Sequence, residues 1–306
     1  MTDRLLFALL TTGWGASFFF TAIALRSFTP VGVVVLRMAL AAAVLTGVVL
    51  IRRPPLPAQR AAGHLVVLGG FNIALPFLLL TAAQQHVTSS LTVVLSATTP
   101  VFVFLFAGLL RAEPFSGRRL LGVALSFAGV TVLSGWHGGG AGSWGWPLVV
   151  VLSSALYAAG NVYTRRHLAG LNPLVIAWGQ ITASLLYLLP AAALAGGVWP
   201  AHSPGLLPLL AVLELGVFAS AFCYLLFFRF ILRWGSSATS FNTYLQPIVG
   251  IALGVLVLGE SVNSRQWVAL ALILGGLAVF ASEAVRGIGR GRLHEPGARR
   301  AARTGR

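Results

Sequence analysis

The sequence predicts an all-α membrane protein: ten transmembrane helices arranged as two inverted five-helix repeats. Three observations predict it. First, of 306 residues 57% are hydrophobic and 9% are charged, against about a quarter charged in an ordinary soluble domain. The apolar residues gather in blocks of about 20, the length that crosses a hydrocarbon core roughly 30 Å thick at 1.5 Å per residue. Second, subtracting 147 from Pro247, Glu260, Arg265 and Gly276 gives Pro100, Glu113, Arg118 and Gly129, and the same shift carries Ser236, Ser237 and Thr239 onto Ser89, Ser90 and Thr92. Third, arginine-rich connections between blocks alternate with arginine-poor ones along the chain.

The blocks, in order, are residues 5–25, 30–51, 63–82, 88–110, 119–136, 146–164, 173–197, 205–230, 237–258 and 266–285, each bounded by Arg, Pro or Gly. The first has only Asp3 and Arg4 ahead of it and Ser27-Phe28-Thr29-Pro30 behind it. With no small-residue cleavage site, it is expected to be a first span, not a removable signal. Connections this short make neighbouring helices antiparallel. Other helices pair across the repeats as well. A shift of 143 sets Pro30 and Arg37 against Pro173 and Gln180, and a shift of 147 sets Gly69 and Phe71 against Gly216 and Phe218. The first repeat is expected over 1–143 and the second over 144–285. Residues 286–306 form a basic tail, its seven arginines among Gly, Ala and Pro, expected to be disordered and drawn to anionic lipid headgroups.

Orientation follows from where the arginines fall. With the N-terminus in the cytoplasm, the inner segments hold Arg4; Arg52, Arg53 and Arg60; Arg111, Arg118 and Arg119; Arg165 and Arg166; Arg229 and Arg233; and the tail arginines. The outer segments hold only Arg26 and Arg265, and Arg37 alone lies within a span. Both termini are therefore expected in the cytoplasm. A unit of five spans must then insert the second time upside down, as in secondary transporters that bind substrate between inverted halves.

Several functions are disfavoured. The net charge of +15 and pI near 11.8 would suit a nucleic-acid partner, but every basic residue is arginine and they sit between blocks or in the tail, not along one amphipathic face; no nucleic-acid partner is expected. A lone Cys223 and six histidines without ligand spacing argue against a metal. No Gly-rich phosphate loop ending in Lys is present, which excludes an ATP-driven pump within this chain, and no cofactor is expected. No nucleophile and base cluster marks an enzyme, so no catalytic residue is assigned. A non-transporting scaffold or receptor is the alternative, and it would leave intramembrane Arg37 and Glu214 as a cost without a return. A membrane-embedded enzyme is less favoured still.

Glu214 and Arg37 are the leading site candidates. Glu214 lies eight residues into the eighth span, about 12 Å deep, and Arg37 seven residues into the second from the same side, about 10 Å deep. A charge at that depth is costly unless it is paired, protonated or facing water. Glu214 could bind a proton for coupling or a substrate ammonium; Arg37 could pair with it, receive a substrate carboxylate, or serve as scaffold. Amides and hydroxyls at membrane depth should face the interior: Asn72, Asn161, Gln180, Asn242, Tyr244 and Gln246, with Gln180 and Gln246 also explicable as interhelical glue. Trp14, Tyr157 and Tyr224 are candidates for an aromatic wall, whereas Trp136, Trp144, Trp146, Trp199 and Trp234 read as interfacial residues. Pro76, Pro100, Pro190 and Pro247 would kink their helices, and the symmetric pair, Pro100 and Pro247, is assigned to gating. Glu113 and Glu260, each five residues before an arginine, read as structural, through a surface ion pair or a cap on the following helix.

Trp14-Gly15 with Phe18 in the first span, Pro30 then Arg37 in the second, Ser-Ser before a mid-span proline (Pro100, Pro247) and Gly259-Glu260 closing the ninth resemble the EamA-like family of the drug/metabolite transporter superfamily. The resemblance spans residues 4–285. It departs from the family pattern at Ala112, where the second copy has Gly259, and in having only Arg26 after the first span. It implies a ten-helix carrier of the bacterial inner membrane, working without ATP and exporting amino acids or other small metabolites. The expected partners are a small-molecule substrate, a proton and membrane lipid, and the expected state is a monomer.

Overall fold

The computed structural model describes residues 3–110, 145–200, 202–236 and 242–265, with isolated positions between 117 and 132, at 239, and between 267 and 279. Glu113, Trp136, Trp144 and the tail lie outside the described residues, as do most of the fifth and tenth blocks. Among the described residues the chain is entirely helical, and seven helices are long and apolar enough to cross a membrane. These are α1 (Asp3–Ala24), α2 (Pro30–Arg52), α3 (Gln59–Ala83), α4 (Ser89–Leu109), α5 (Gly145–His167), α6 (Pro173–Leu194) and α7 (Leu206–Trp234). A shorter apolar helix, α8 (Asn242–Leu256), follows.

Local chemistry sets the ends. Thr29 caps α2 by accepting from the Gly32 amide at 3.1 Å, with Pro30 in the first helical turn, and Asn172 caps α6 by accepting from the Leu174 amide at 2.9 Å, with Pro173 behind it. Both follow the preference for a side-chain acceptor before proline, whose missing N–H costs nothing there. The α6 helix stops three residues before the end of its apolar block, because Gly196 and Gly197 take positive φ of 87° and 111°. Gly235, at φ 93°, ends α7.

Two helices carry a stretch of wide π turns at mid-length: Gly69–Ala74 in α3 and Leu215–Phe222 in α7. Such turns release backbone carbonyls and often mark functional positions. The fourth span also departs from an unbroken helix. It divides into Ser89–Ser96 and Thr99–Leu109, so Pro100 begins a new segment and does not kink a continuous one. Pro76 likewise sits in the first turn after a π stretch, while Pro190 and Pro247 lie inside their helices.

Helix α2 packs centrally against α6 and the π stretch of α7, α1 packs along α8, and α5 lies between the second piece of α4 and the end of α3. In lipid the hydrophobic effect does not favour helix against helix, so close approach at small residues must carry the association. Gly69 meets that need: a β-carbon there would lie 2.8 Å from the Ser184 backbone nitrogen.

Candidate functional site

A cavity opens where these helices converge, and its lining follows helical spacing. Trp14, Ser17, Phe18 and Thr21 supply one face of α1; Phe77, Leu80 and Thr81 continue to Gln84 on α3; Tyr157 and Asn161 come from α5, Tyr224 and Phe227 from α7, Thr243 and Gln246 from α8. Arg37 of α2, Asn72 from the first π stretch, and Ser96 and Thr99 flanking the break in α4 complete it. Seven of the residues singled out in the sequence therefore meet at one cavity: Trp14, Arg37, Asn72, Tyr157, Asn161, Tyr224 and Gln246.

The π stretches hold the site together. Trp14 donates from Nε1 to the Ala219 carbonyl at 2.8 Å, within the second π stretch. That bond turns the indole toward Tyr224 and Phe227, with ring centroids at 5.3 and 4.6 Å. Ser220, the next residue, accepts from Arg37 Nε at 2.7 Å. In the first stretch Asn72 donates from Nδ2 to Gln180 Oε1 at 2.9 Å, and Gln180 donates onward to Thr164 at 3.4 Å. Gln180 is interhelical glue, as the sequence allowed. Gln246 lines the cavity, and its Nε2 has no hydrogen-bond partner among the described residues.

Arg37 is 4% exposed and its guanidinium carbon stands 4.4 Å above the centre of the Phe77 ring, a favourable placement for a cation over an aromatic face. It is not paired with Glu214. Ion pairs among the described residues join Asp3 to Arg229 at 3.8 Å and to Arg233 at 2.6 Å, near the start of α1 and the end of α7. Glu214 is close enough to attract Arg37 electrostatically, but it does not line the cavity, and its Oε2 is buried without a hydrogen-bond partner among the described residues. Asn242 is fully buried away from the lining, again without a partner for its side-chain amide. The side chain of Tyr244 lies outside the described residues. Pro100 and Pro247 are near the cavity in sequence and absent from its wall.

The sequence reading missed Ser17, Thr21, Thr81, Gln84, Ser96, Thr99 and Thr243, together with Phe18, Phe77 and Phe227. A signal was available in α1 and α3, where residues 14, 17, 18 and 21, and residues 77, 80, 81 and 84, follow the i, i+3, i+4, i+7 rule for one helix face. Small hydroxyls escape attention because a threonine or serine in a transmembrane helix satisfies itself on the preceding turn; Thr21 donates to the Ser17 carbonyl and Thr99 to that of Ser96.

Glu260 corrects a second reading. Among the described residues it neither caps the helix that follows nor pairs with Arg265. Gly259 takes a positive φ of 69°, and the Glu260 carboxylate reaches the start of α4. There it accepts from the Ser89 amide at 2.9 Å and hydroxyl at 2.8 Å, and from the Ser90 amide at 2.9 Å and hydroxyl. Burial pushes this carboxyl up, but the Ser90 and Ser89 donors together outweigh it and hold the group below its ordinary value. A carboxylate on the N-terminal amides of a helix also meets the positive end of the helix dipole.

Comparison with known proteins adds four findings. The EamA-like transporter family matches residues 4–135 and again 144–282. The chain is 27% identical over 264 residues to the uncharacterized inner membrane transporter YedA of Escherichia coli (strain K12), covering 85% of this chain and 84% of that protein. It is 23% identical over 297 residues to a probable amino-acid metabolite efflux pump of the same strain, covering 90% of this chain and 94% of the relative. A solved crystal structure matches 91% of this chain and 96% of its own with a TM-score of 0.67 and 19% identity, a likeness of fold.

Proposed function

The chain belongs to the EamA-like transporter family, and from that premise we propose that it is a secondary carrier of the bacterial inner membrane, exporting amino acids or related small metabolites by alternating access. The observation that carries this reading is the polar and aromatic cavity between helices, with a buried arginine on its wall. A residue of that kind marks a substrate or ion pathway by default. The efflux function named for one relative supports the direction.

Ten spans in two inverted repeats remain the proposed architecture, and both termini are proposed to be cytoplasmic. Two features support the repeats. The family matches twice in succession, and a shift of 147 carries the π stretch Gly69–Ala74 onto residues 216–221, inside Leu215–Phe222. Inverted halves meeting at a midplane site are the framework on which alternating access operates.

Of the two roles open to Glu214, proton binding is proposed, because Glu214 is not among the residues that line the cavity. The experiment is efflux of a mixed amino-acid and metabolite panel from proteoliposomes, with and without an imposed pH gradient. Efflux above protein-free vesicles is expected, with gradient-driven acceleration lost in Glu214→Gln. No flux for any solute would remove the carrier reading, while a variant that responds to the gradient like wild type would make Glu214 scaffold.

A further inference from the structure

We propose that Arg37 is the seat for an acidic group on the transported molecule, so that the substrate class is small monoanions and other carboxylate-bearing metabolites with an apolar or aromatic body, and an ammonium group is not required. This rests on the carrier reading above and deepens it.

The charge inventory comes first. Arg37 is the one ionised side chain among the described residues that line the cavity; the rest of the wall is hydroxyl, amide, aromatic or aliphatic. A guanidinium buried among transmembrane helices is costly unless a counter-charge accompanies it. No carboxylate among the described residues lies within ion-pair distance, and Glu214 is outside the wall. The protein therefore holds a positive charge on the cavity wall that no carboxylate of the wall balances and that an anionic occupant would. A single charge matches a monoanion and leaves a dianion half uncompensated.

Geometry then selects the group. The guanidinium is fixed at two places, with Nε committed to Ser220 Oγ at 2.7 Å and one face over Phe77. Its open edge is the pair of Nη amino groups, a planar fork that fits a carboxylate through two parallel hydrogen bonds. A scaffold arginine would spend those donors on backbone carbonyls at helix ends. Among the described residues no backbone carbonyl is seen to accept from Arg37, whose hydrogen bond is to the Ser220 hydroxyl. Gln246 Nε2 is a further donor on the wall without a partner, and the Asn72 Oδ1 acceptor there is neutral and cannot balance an ammonium charge. On the same wall, Trp14, Tyr157, Tyr224 and Phe227 supply aromatic surface for the body of the molecule. An ammonium finds no carboxylate on this wall.

The test uses the full-length protein and three matched compounds: phenylalanine, 3-phenylpropanoate, which keeps the acid and lacks the amine, and phenethylamine, which keeps the amine and lacks the acid. Binding is read in detergent from thermal stabilisation and tryptophan fluorescence, since Trp14 lies on the wall, and flux is read in proteoliposomes. The two acids are expected to bind, with phenethylamine at least about tenfold weaker. Arg37→Gln should lose the acids by a similar factor and Arg37→Lys should recover part, because a point charge replaces the fork; both must remain monodisperse. Binding of phenethylamine on a par with the acids, undiminished acid binding in monodisperse Arg37→Gln, or no binding of either acid would each overturn the proposal. Should Arg37→Gln fail to fold, Arg37→Lys and the three-compound ranking on wild type decide it. Arg37-dependent binding without flux of any compound would instead defeat the carrier reading and leave the acid seat standing. Flux confined to solutes without an acid group would do the reverse.

Discussion

A single carboxylate does more here than its position near a loop suggests. Glu260 takes four donors from Ser89 and Ser90, about 170 residues away, and so ties the segment after α8 to the start of α4. Its folded value lies below the ordinary one of 4.5, which fixes the sign of the pH effect. The bonds contribute fully above about pH 4.5, where the carboxyl is ionised in both folded and unfolded chains, and the contribution is lost as the pH falls through the depressed folded value. Glu260→Gln, which keeps one acceptor and turns the other into a donor facing donors, should cost about 1–3 kcal/mol. Thermal melts of the purified protein between pH 7 and pH 3 would check both points. A variant that melts like wild type across that range would show the contact to be energetically idle.

At the scale of the element, the two π stretches connect folding to the site. They place Asn72 on the cavity wall and set Ala219 and Ser220 where Trp14 and Arg37 can bond to them. The first is held by contact of backbone with backbone, because Gly69 lies against Ala183 and Ser184 of α6. Gly69→Ala would put its methyl within 2.9 Å of Ala183 and Ser184 main-chain atoms, forcing α3 away from α6 at a cost of about 1–3 kcal/mol. The expected outcome is a lower melting temperature together with weakened substrate binding, since Asn72 is three residues further on. The control is Gly63→Ala, where a β-carbon meets nothing within 4 Å, and it should melt like wild type. Equal melting temperatures for the two variants would refute the packing argument.

The whole molecule is organised by which side of the membrane each segment faces, and that is a prediction of charge. Arginine falls in the segments assigned to the cytoplasm and is nearly absent from those assigned outside, so reporter fusions at the C-terminus and after Arg53 should both be active as cytoplasmic reporters. A fusion after Trp199 should report the other side. A C-terminal fusion reporting from outside would require an odd number of spans and end the inverted-repeat proposal.

The sequence by itself determined the solvent of this protein, its helical class, and the residue types that cannot face lipid. Composition and block length are enough for these, because a bilayer penalises every unsatisfied polar group whatever the neighbours. Arg37, Asn72, Asn161 and Tyr224 were therefore legible as inward-facing before any packing was known. Only the tertiary structure decided which of those groups share one wall. Depth placed Arg37 and Glu214 at the same level, but rotation of α2 and α7 about their axes, set by packing and by the π turns, put one on the cavity and the other off it. The same limit hid the Glu260 contact, since a hydrogen bond between segments some 170 residues apart leaves no trace in local pattern. The hydroxyls of α1 and α3 were obscured for a different reason: their significance comes from a shared helix face, and no single residue carries it.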